Sequence, residues 1–474
     1  MLSALGNNFT RCGAQQLLRS ATGPTLVASA SPTQAQSASF TTATTAGGKK
    51  QPNDVVLVDG CRTPFQLSGT GYQDLTAQQL GTLALRGLLQ RHPSFDPSLV
   101  DEVVMGTVIQ EVRTSNLARE SALAAGVPLS VPAHTVTQAC ISSNQAIAQG
   151  FAQIKAGLAN VFIASGTETM SDVPIRFSRP LRKRMIAASK IRQPMDYLKL
   201  LKGIKPADLA PEAPGIAEFS TNETMGHSAD RLATKFGVTR REQDEYALRS
   251  HHLAAKAWKD GLLADQIVNV NYPTSVTTDN GVRGDSTMEK LSSLKPAFIK
   301  PYGTVTAANA SFLTDGASAV LLMSRKRAQE LGFTPLAKLT DFMFVAQDPK
   351  EQLLLGPTYA TARLLARNNL TCNDIDAFEF HEAFAGQILA NLNALDSEDF
   401  NKEFIGLPKK VGRLDMDKFN NWGGSLSLGH PFGATGCRLV TTAARRLHKE
   451  DGSLALLAAC AAGGQGHAML VERE

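Results

Sequence analysis

The sequence predicts an α/β protein with a duplicated core, and three observations carry that prediction. Short β-branched runs that end in small residues alternate with segments whose apolar residues recur at helical spacing, as in parallel βαβ units. Hydrophobic residues make up 43%, aromatic residues 6%, and glycines number 38, which is typical of tightly packed α/β proteins. Segments 140–166 and 432–464 share one order of small-residue helix entry, helix, short loop and buried strand, which indicates a weak internal duplication.

The first fifty residues have the composition of a mitochondrial transit peptide. They contain no Asp or Glu, since Asp54 is the first acid, and they are rich in Ser, Thr and Ala with scattered Arg and Lys. The continuous apolar core of a secretory signal is missing. We therefore expect a mitochondrial protein whose fold begins after residues 1–50.

The elements of the first half follow the leader in order. The run "DVVLVDG" (54–60) predicts a strand, and the helical spacing in "TAQQLGTLALRGLLQ" (76–90) predicts a helix. "VDEVVMGTVI" (100–109) predicts the next strand, residues 140–157 a helix, and "ANVFIASG" (159–166) a buried strand. The strands alternate with helices, which favours a parallel arrangement.

The middle of the chain breaks this alternation. Residues 176–205 hold ten Lys or Arg against the single acid Asp196, with apolar residues between the charges. Such a segment suits an anionic membrane surface or an acidic partner, while a solvated surface insertion explains it equally well. Residues 239–258 then predict a long amphipathic helix capped by Thr239.

The second half resumes the alternation of strands and helices. A strand is predicted within 309–324, a strand running into a helix over 375–386, a helix over 433–447 and a strand over 454–460. The uncharged window 452–471 is long enough to suggest a membrane span. Its central glycines, Gln465 and His467 instead predict two buried strands joined by a tight turn.

Several function classes are disfavoured by composition. The formal charge is +5, but most of the chain has no continuous basic face with interleaved aromatics, so no nucleic-acid partner is expected. The six cysteines are scattered and none forms a C-x-x-C pair, so neither a zinc ribbon nor a metal site is predicted. No G-x-S-x-G motif is present, which argues against a serine hydrolase of that type.

Four residues with chemical potential stand at predicted strand ends or helix starts. Cys140 in "TVTQACISSNQ" begins a helix, where the dipole favours a thiolate. His430 lies in the glycine-rich "SLGHPFGATG", Cys460 in "AACAAGGQGH" and His381 in "FEFHEAFAG". Each residue alone is more commonly structural. Together, a nucleophilic thiol, a base, a second proton shuttle and small residues that present backbone N–H groups suit carbon–carbon bond chemistry on a thioester.

These motifs, in this order, resemble those of the thiolase superfamily from about Asn53 to the C-terminus. The matching segments are "VDGCRTPF", "ACISSNQA", "GTETMS", "REQDEYALRSH", "GTVTAANAS", "HEAF", "GHPFGATG" and "CAAGGQG". The resemblance implies a duplicated βαβαβαββ core, layered α-β-α-β-α, with an inserted loop domain. The expected boundaries are 1–50 for the leader, 51–172 and 299–330 for the N-terminal core, 173–298 for the insertion and 331–474 for the C-terminal core.

Two matches depart from the common pattern of the family. His381 stands where most members have Asn, and Ala462 interrupts the usual Cys-x-Gly-Gly-Gly run. With the leader and the basic insertion, both departures resemble the branch formed by β-subunits of mitochondrial trifunctional proteins. That branch implies an α-subunit partner with hydratase and 3-hydroxyacyl-CoA dehydrogenase activities. It also implies a homodimeric core in a hetero-oligomer, peripheral membrane contact through 176–205, and a place on the matrix side of the inner membrane.

The resemblance also implies a mechanism, the cleavage of a 3-ketoacyl-CoA by CoA. Cys140, activated by its helix N-terminus and His430, attacks the 3-keto carbon, and the leaving enolate oxygen is held by His430 and by a water that His381 orients. Cys460 protonates the enolate carbon and then deprotonates the incoming CoA thiol. The N–H groups of Cys140 and Ala462 form the oxyanion hole of the acyl-Cys140 thioester. No cofactor is implied, because CoA and acyl-CoA are substrates.

Ser311 is assigned to the CoA tail by the same resemblance, and three other functions remain open. An acetoacetyl-CoA thiolase of short-chain or biosynthetic type shares every catalytic residue, and chain-length profiling separates the two. A ketoacyl-ACP synthase has two active histidines and lacks the second cysteine at the position of Cys460. A non-catalytic anchoring protein would depend on segment 176–205 and predicts that Cys140 is replaceable.

Overall fold

The structure is a computed structural model that describes residues 49–193, 195, 200, 202–271 and 275–474. Nearly all of the predicted transit peptide and part of the basic segment 176–205 lie outside the described residues.

Strands and helices alternate through most of the described chain. The strands are β1 (Val55–Arg62), β2 (Gln66–Leu67), β3 (Glu102–Gly106), β4 (Ala133–Val136), β5 (Val161–Glu168), β6 (Thr314–Ser324), β7 (Ala337–Ala346), β8 (Ala377–Phe380), β9 (Leu454–Ala461) and β10 (Gln465–Arg473). The helices are α1 (Ala77–Gln90), α2 (Leu117–Ala125), α3 (Ser142–Lys155), α4 (Arg179–Ala188), α5 (Met225–Lys235), α6 (Arg240–Lys259), α7 (Met288–Ser292), α8 (Arg325–Glu330), α9 (Gly356–Arg367), α10 (Ala385–Leu395), α11 (Glu398–Phe400), α12 (Ser425–Leu428) and α13 (Thr435–Lys449).

The order of strands in the sheet confirms the internal duplication. The order is β4-β3-β5-β6-β1-β7-β10-β9-β8, and β2 pairs with β6. From the centre outward, the first half has β1, β6, β5 and β3, and the second half has β7, β10, β9 and β8. Each half therefore places its first strand innermost, followed by its last and its penultimate strand, and then by the earlier strand that pairs parallel with the penultimate one. The halves meet where β1 and β7 pair antiparallel, with Val55 opposite Leu339. Within each half, the pairs β3·β5 and β8·β9 are parallel, as the βα alternation predicted.

Helices cover the sheet in the layers expected of a duplicated α/β core. One apolar cluster combines α3 and α13 with the inner faces of β1, β5, β9 and β10, so these two helices form a shared central layer. A second cluster packs α1 and α2 on the outer face of the first half. A third packs α9 and α10 on the outer face of the second half. The α-β-α-β-α layering predicted by the family resemblance is confirmed.

Local signals in the sequence explain most element boundaries. Thr76 caps α1 and Thr239 caps α6, each in a capping box with the residue three positions later. The uncharged window 452–471 forms the antiparallel pair β9–β10, as predicted. No helix in the described part of the chain is long and apolar enough to cross a membrane. The helix predicted over 140–157 is wrong at its start, because it begins at Ser142 and leaves Cys140 in the preceding turn.

The region between β5 and β6 is unevenly attached to the core. Helices α5 and α6 contribute Ala229, Leu232 and Tyr246 to the apolar cluster of the second half. Helix α4 has no buried residue, although Ser178 caps it. The basic helix is therefore a surface element that projects most of its side chains toward solvent.

Candidate active site

Cys140 lies in a tight turn between β4 and α3. Ala139 has a φ of 45°, a left-handed conformation that non-glycine residues rarely adopt and that is typical of functional turns. Ser142 stabilises this turn, since its hydroxyl accepts the N–H of Gln138 at 2.9 Å and donates to the carbonyl of Ala139 at 2.6 Å. The turn directs the cysteine away from the helix axis, toward the loops of the second half.

The thiol of Cys140 is protonated at rest. Burial raises its pKa to about 12, although the N–H groups of Ala462 and of Cys140 itself hydrogen-bond to it and lower the pKa. The negative charge of Glu168 adds to the increase. Desolvation therefore outweighs the N–H donors that favour the thiolate. A base has to remove the proton as the thiol reacts.

His430 is held as a neutral imidazole whose Nε2 is unprotonated. Its Nδ1 lies 2.6 Å from Oγ1 of Thr435, and the hydroxyl of Thr435 donates to the carbonyl of Pro431 at 3.1 Å. Since that hydroxyl has one hydrogen, it accepts from Nδ1–H, which leaves the lone pair on Nε2. Burial, the proximity of the second ionisable imidazole at His381 and the positive charge of Arg438 hold the pKa of His430 well below its ordinary value. This imidazole is a proton acceptor at neutral pH.

His381 follows strand β8 and has the opposite tautomer. Its Nδ1 lies 2.8 Å from Oγ of Ser425, and that oxygen accepts from Nη2 of Arg438 at 3.0 Å. The hydroxyl hydrogen of Ser425 is then free to donate to Nδ1, which places the ring proton on Nε2. Burial, followed by the charge of Arg438, lowers the pKa of His381 to about 3. His381 is therefore a neutral donor at Nε2.

The two imidazoles and the thiol form one cluster. The ring centroids of His381 and His430 are 3.9 Å apart. The sulfur of Cys140 and one ring nitrogen of each histidine lie within 4.8 Å of one another. Nε2 of both rings is buried and has no hydrogen-bond partner among the described residues. A donor, an acceptor and a nucleophile thus face one small volume.

Cys460 and Ala462 border the same volume from the β9–β10 turn. Cys460 is 1% exposed near the end of β9, and both burial and the proximity of the ionisable Cys140 thiol raise the pKa of its own thiol. Gly463 and Gly464 have φ values of 81° and 69°, whereas Ala462 is not among the residues with positive φ. The turn therefore accepts alanine at 462 without backbone strain, and its N–H points to the sulfur of Cys140.

Ser311 lies beside the loop that carries His381. Its N–H donates to the carbonyl of Ala383 at 2.9 Å, and Ala310 forms a bridge with Phe384. The residue is half-buried. The structure thus brings Cys140, His381, His430, Cys460 and Ala462 together and places Ser311 next to them.

Two buried acids that the sequence analysis left without a role fix the loops of the site. The carboxylate of Glu382 is fully buried and accepts four hydrogen bonds, from Tyr246, Ser250, Asn420 and the N–H of Leu426. Glu168 accepts from the hydroxyl of Thr107 and from the N–H groups of Val108, Ile109 and Gly433. Glu382 occurs in the quoted motif "HEAF" and Glu168 in "GTETMS". Each acid follows a predicted buried strand, which was the available signal.

Gly433 shows why the loop after His430 requires glycine. A Cβ at this position would lie 2.5 Å from the carbonyl oxygen of Thr167 and 2.6 Å from that of Gly106. The backbone of the loop therefore packs directly against the ends of β3 and β5. This contact sets the height of His430 above the sheet.

Comparison with known proteins agrees with this architecture. The family models described as "Thiolase, N-terminal domain" and "Thiolase, C-terminal domain" match residues 55–326 and 333–473. The chain is 60% identical over 425 residues to the mitochondrial trifunctional enzyme subunit beta of Homo sapiens, covering 89% of each chain. It is 54% identical over 444 residues to a probable 3-ketoacyl-CoA thiolase of Caenorhabditis elegans, covering 93% of this chain and 99% of the relative.

Solved structures extend the similarity to the fold. The crystal structure of human mitochondrial 3-ketoacyl-CoA thiolase in complex with CoA aligns with a TM-score of 0.75 at 30% identity, covering 89% of this chain and 98% of that chain. The acetyl-CoA acetyltransferase of Bacillus anthracis aligns with a TM-score of 0.75 at 32% identity, covering 89% and 99%.

Proposed function

The chain belongs to the thiolase family, and from that premise we propose that it cleaves long-chain 3-ketoacyl-CoA as one subunit of a mitochondrial trifunctional assembly. It is an acyltransferase of the 3-ketoacyl-CoA thiolase type and a mitochondrial protein, and the resemblance drawn from the motifs is confirmed. The observation that supports the chemistry is the cluster of Cys140, His381 and His430, with ligand atoms within 4.8 Å of one another.

In the first half of the reaction, the proton of Cys140 moves to Nε2 of His430 as the sulfur attacks the 3-keto carbon. The N–H groups of Cys140 and Ala462 stabilise the oxyanion that forms on that carbon. The C2–C3 bond then breaks, and its electron pair forms the enolate of acetyl-CoA. The new Nε2–H of His430, together with a water oriented by Nε2–H of His381, donates to the enolate oxygen.

Cys460 completes the reaction as the second proton shuttle. Its thiol protonates the enolate carbon, and acetyl-CoA departs. The resulting thiolate removes the proton of the incoming CoA thiol, and the CoA sulfur attacks the acyl-Cys140 thioester. Cys140 leaves as the acyl-CoA forms and recovers its proton from His430. A thiol suits this role because its ordinary pKa is nearer to that of the CoA thiol than the pKa of a carboxylic acid is. The scheme needs no cofactor.

The acyl intermediate gives the decisive experiment. The protein is mixed with 3-ketohexadecanoyl-CoA without free CoA, and its peptides are analysed by mass spectrometry. We expect a myristoyl adduct on Cys140 that added CoA removes, and no adduct in Cys140→Ala. The matched control Cys372→Ser changes a half-buried thiol elsewhere and retains the adduct. An acetyl adduct from acetoacetyl-CoA alone would favour the short-chain alternative, and no adduct from either substrate would reject both.

The basic helix α4 supports a place at the inner membrane, on its matrix side. Exposed apolar side chains accompany its charges, among them Phe177, Met185 and Ile186, which are 54%, 49% and 65% exposed. An exposed mixture of Lys, Arg and large apolar residues suits an anionic bilayer surface. We propose that the α-subunit shares this contact and that two copies of the chain form the core of the assembly. Native mass spectrometry of the co-expressed subunits tests that stoichiometry.

The design of the membrane test follows from the contacts of α4. Arg182 pairs with Glu212 at 2.9 Å, and Arg184 donates to two backbone carbonyls, so both are structural and are left intact. Lys183, Lys190 and Arg192 are exposed, and their combined change to Glu is expected to abolish co-sedimentation with anionic vesicles. The same charge reversal at the exposed Lys259, Lys295 and Lys409 is the control. Equal co-sedimentation of both variants would reject the proposal.

A further inference from the structure

The catalytic cluster has the composition of a transition-metal site. Cys140, His381 and His430 each offer one ligand atom, and these atoms lie within 4.8 Å of one another. Tetrahedral Zn²⁺ with bonds of about 2.0–2.3 Å requires neighbouring ligand atoms about 3.3–3.6 Å apart. Side-chain rotations that bring the atoms together by up to about 1.5 Å meet this requirement. A cysteine with two histidines leaves a fourth position open.

The two imidazoles are oriented as metal ligands are. A ligating histidine normally engages its other ring nitrogen with a neighbouring group, which fixes the ring and directs the free nitrogen at the metal. Here Ser425 and Thr435 hold the two Nδ1 atoms at 2.8 and 2.6 Å. Both Nε2 atoms are buried and have no partner among the described residues. The site therefore presents two unsatisfied nitrogens to the sulfur of Cys140.

The protons of the site permit metal binding at neutral pH. Nε2 of His430 already carries a lone pair, because Nδ1–H donates to Thr435. His381 has to move its proton from Nε2 to Nδ1. The hydroxyl hydrogen of Ser425 then rotates away from Nδ1, and Oγ accepts Nδ1–H through its second lone pair. Cys140 releases its thiol proton to solvent as the metal–sulfur bond forms.

We propose that Zn²⁺ binds the metal-free catalytic cluster through Cys140, His381 and His430 and inhibits the enzyme in competition with acyl-CoA. The thiolate selects a borderline-soft cation and disfavours Mg²⁺ and Ca²⁺, which prefer oxygen. His381 completes the site, because the asparagine that most family members carry here offers an amide that zinc seldom uses. The sequence predicted no metal site because its three ligands lie far apart along the chain.

Direct metal binding tests this inference without requiring turnover. Metal-stripped protein is titrated with Zn²⁺ against a chromophoric chelator, and Co²⁺ is added separately to detect the charge-transfer band of a cobalt–thiolate bond. We expect one Zn²⁺ per chain and a cobalt–thiolate band that Cys140→Ala abolishes. His381→Asn is expected to weaken zinc binding at least about 10-fold. His252→Asn, at an exposed position, is the matched control and leaves the affinity unchanged.

Alkylation provides a second readout on the unmodified chain. Zn²⁺ is expected to protect Cys140 from iodoacetamide, as measured by peptide mass spectrometry, while Mg²⁺ at the same concentration does not. The half-buried Cys372 serves as the internal control, and its alkylation rate is expected to stay the same. An unchanged alkylation rate of Cys140 with Zn²⁺ overturns the inference, as does equal zinc affinity in folded His381→Asn. Neither result depends on the acyl-adduct experiment, so a failure of the zinc site and a failure of the thiolase chemistry are distinguishable.

Discussion

Replacing Thr435 by valine is expected to remove the hydrogen bond that keeps the lone pair of His430 on Nε2. The side chains have the same shape, but valine lacks the oxygen that accepts Nδ1–H at 2.6 Å. In the variant a buried Nδ1–H is left without an acceptor, which costs about 1–3 kcal/mol. The imidazole avoids this cost by moving its proton to Nε2, where it can no longer accept the proton of Cys140.

The magnitude follows from that cost. If the acceptor tautomer is destabilised by about 1–3 kcal/mol, kcat falls about 5- to 160-fold. KM for the acyl-CoA is expected to change little, since Thr435 acts through His430 as a positioning residue. Steady-state kinetics with 3-ketohexadecanoyl-CoA and CoA measures both parameters, and a thermal melt checks that the variant is folded.

Thr435→Ser is the matched control, because serine keeps the hydroxyl that accepts from His430 and donates to Pro431. It is expected to retain kcat within about 3-fold, given the usual spread of such measurements. Full activity in a folded Thr435→Val variant would refute the assigned tautomer. Equal losses in the valine and serine variants would show that packing, not the hydroxyl, explains the effect.

Three further predictions concern the buried charges and the thiol. Glu382→Gln replaces a carboxylate that accepts four hydrogen bonds by an amide whose NH₂ group cannot accept. Urea titrations are expected to show a free energy of unfolding lower by about 1.5–3 kcal/mol, whereas the surface variant Glu398→Gln is expected to show no such loss. Burial raises the pKa of Glu168 to about 7 from 4.5, so its protonated form favours the folded state. Its contribution to the free energy of unfolding is complete below pH 4.5 and is lost as the pH rises through about 7, a change of up to about 3 kcal/mol. Urea titrations at several pH values measure this loss, which is expected to be absent in Glu168→Gln. Because burial raises the pKa of Cys140 to about 12, its iodoacetamide alkylation rate is expected to keep increasing up to about pH 10, and a plateau below pH 8 would contradict a protonated resting thiol.

The sequence was sufficient for the architecture because the architecture depends on local patterns. The alternation of strands and helices and the two similar segments predicted the duplicated layers, and the glycines within 452–471 predicted a hairpin rather than a membrane span. The start of α3 was missed because an alanine at φ 45° has no signature in the sequence. Only the contacts of Ser142 with this turn explain why the helix begins after Cys140.

The protonation of the site required the tertiary structure. The pKa of Cys140 depends on desolvation by residues distant in the chain, which outweighs the N–H donors that the helix start suggested. Likewise, the four groups around Glu382 come from α6, from the segment before α12 and from α12 itself. The motif "HEAF" identified the acid but none of its donors, because no spacing rule connects these segments.

His381 stands where most family members have asparagine, and its ability to donate a hydrogen bond depends on a series of buried groups. An asparagine amide donates a hydrogen bond in any protonation state, whereas an imidazole donates from Nε2 only in one tautomer. Arg438 pairs with Glu379 and donates to Ser425, which turns the serine hydroxyl toward Nδ1 of His381. Burial lowers the pKa of both imidazoles, and the charge of Arg438 adds to this effect, so neither is protonated at neutral pH. Because His381 is neutral, it can donate a hydrogen bond from Nε2, and it can also give up that proton and bind a metal ion there. Asparagine keeps the hydrogen-bond donor but not the metal ligand, so His381→Asn separates catalysis from zinc binding.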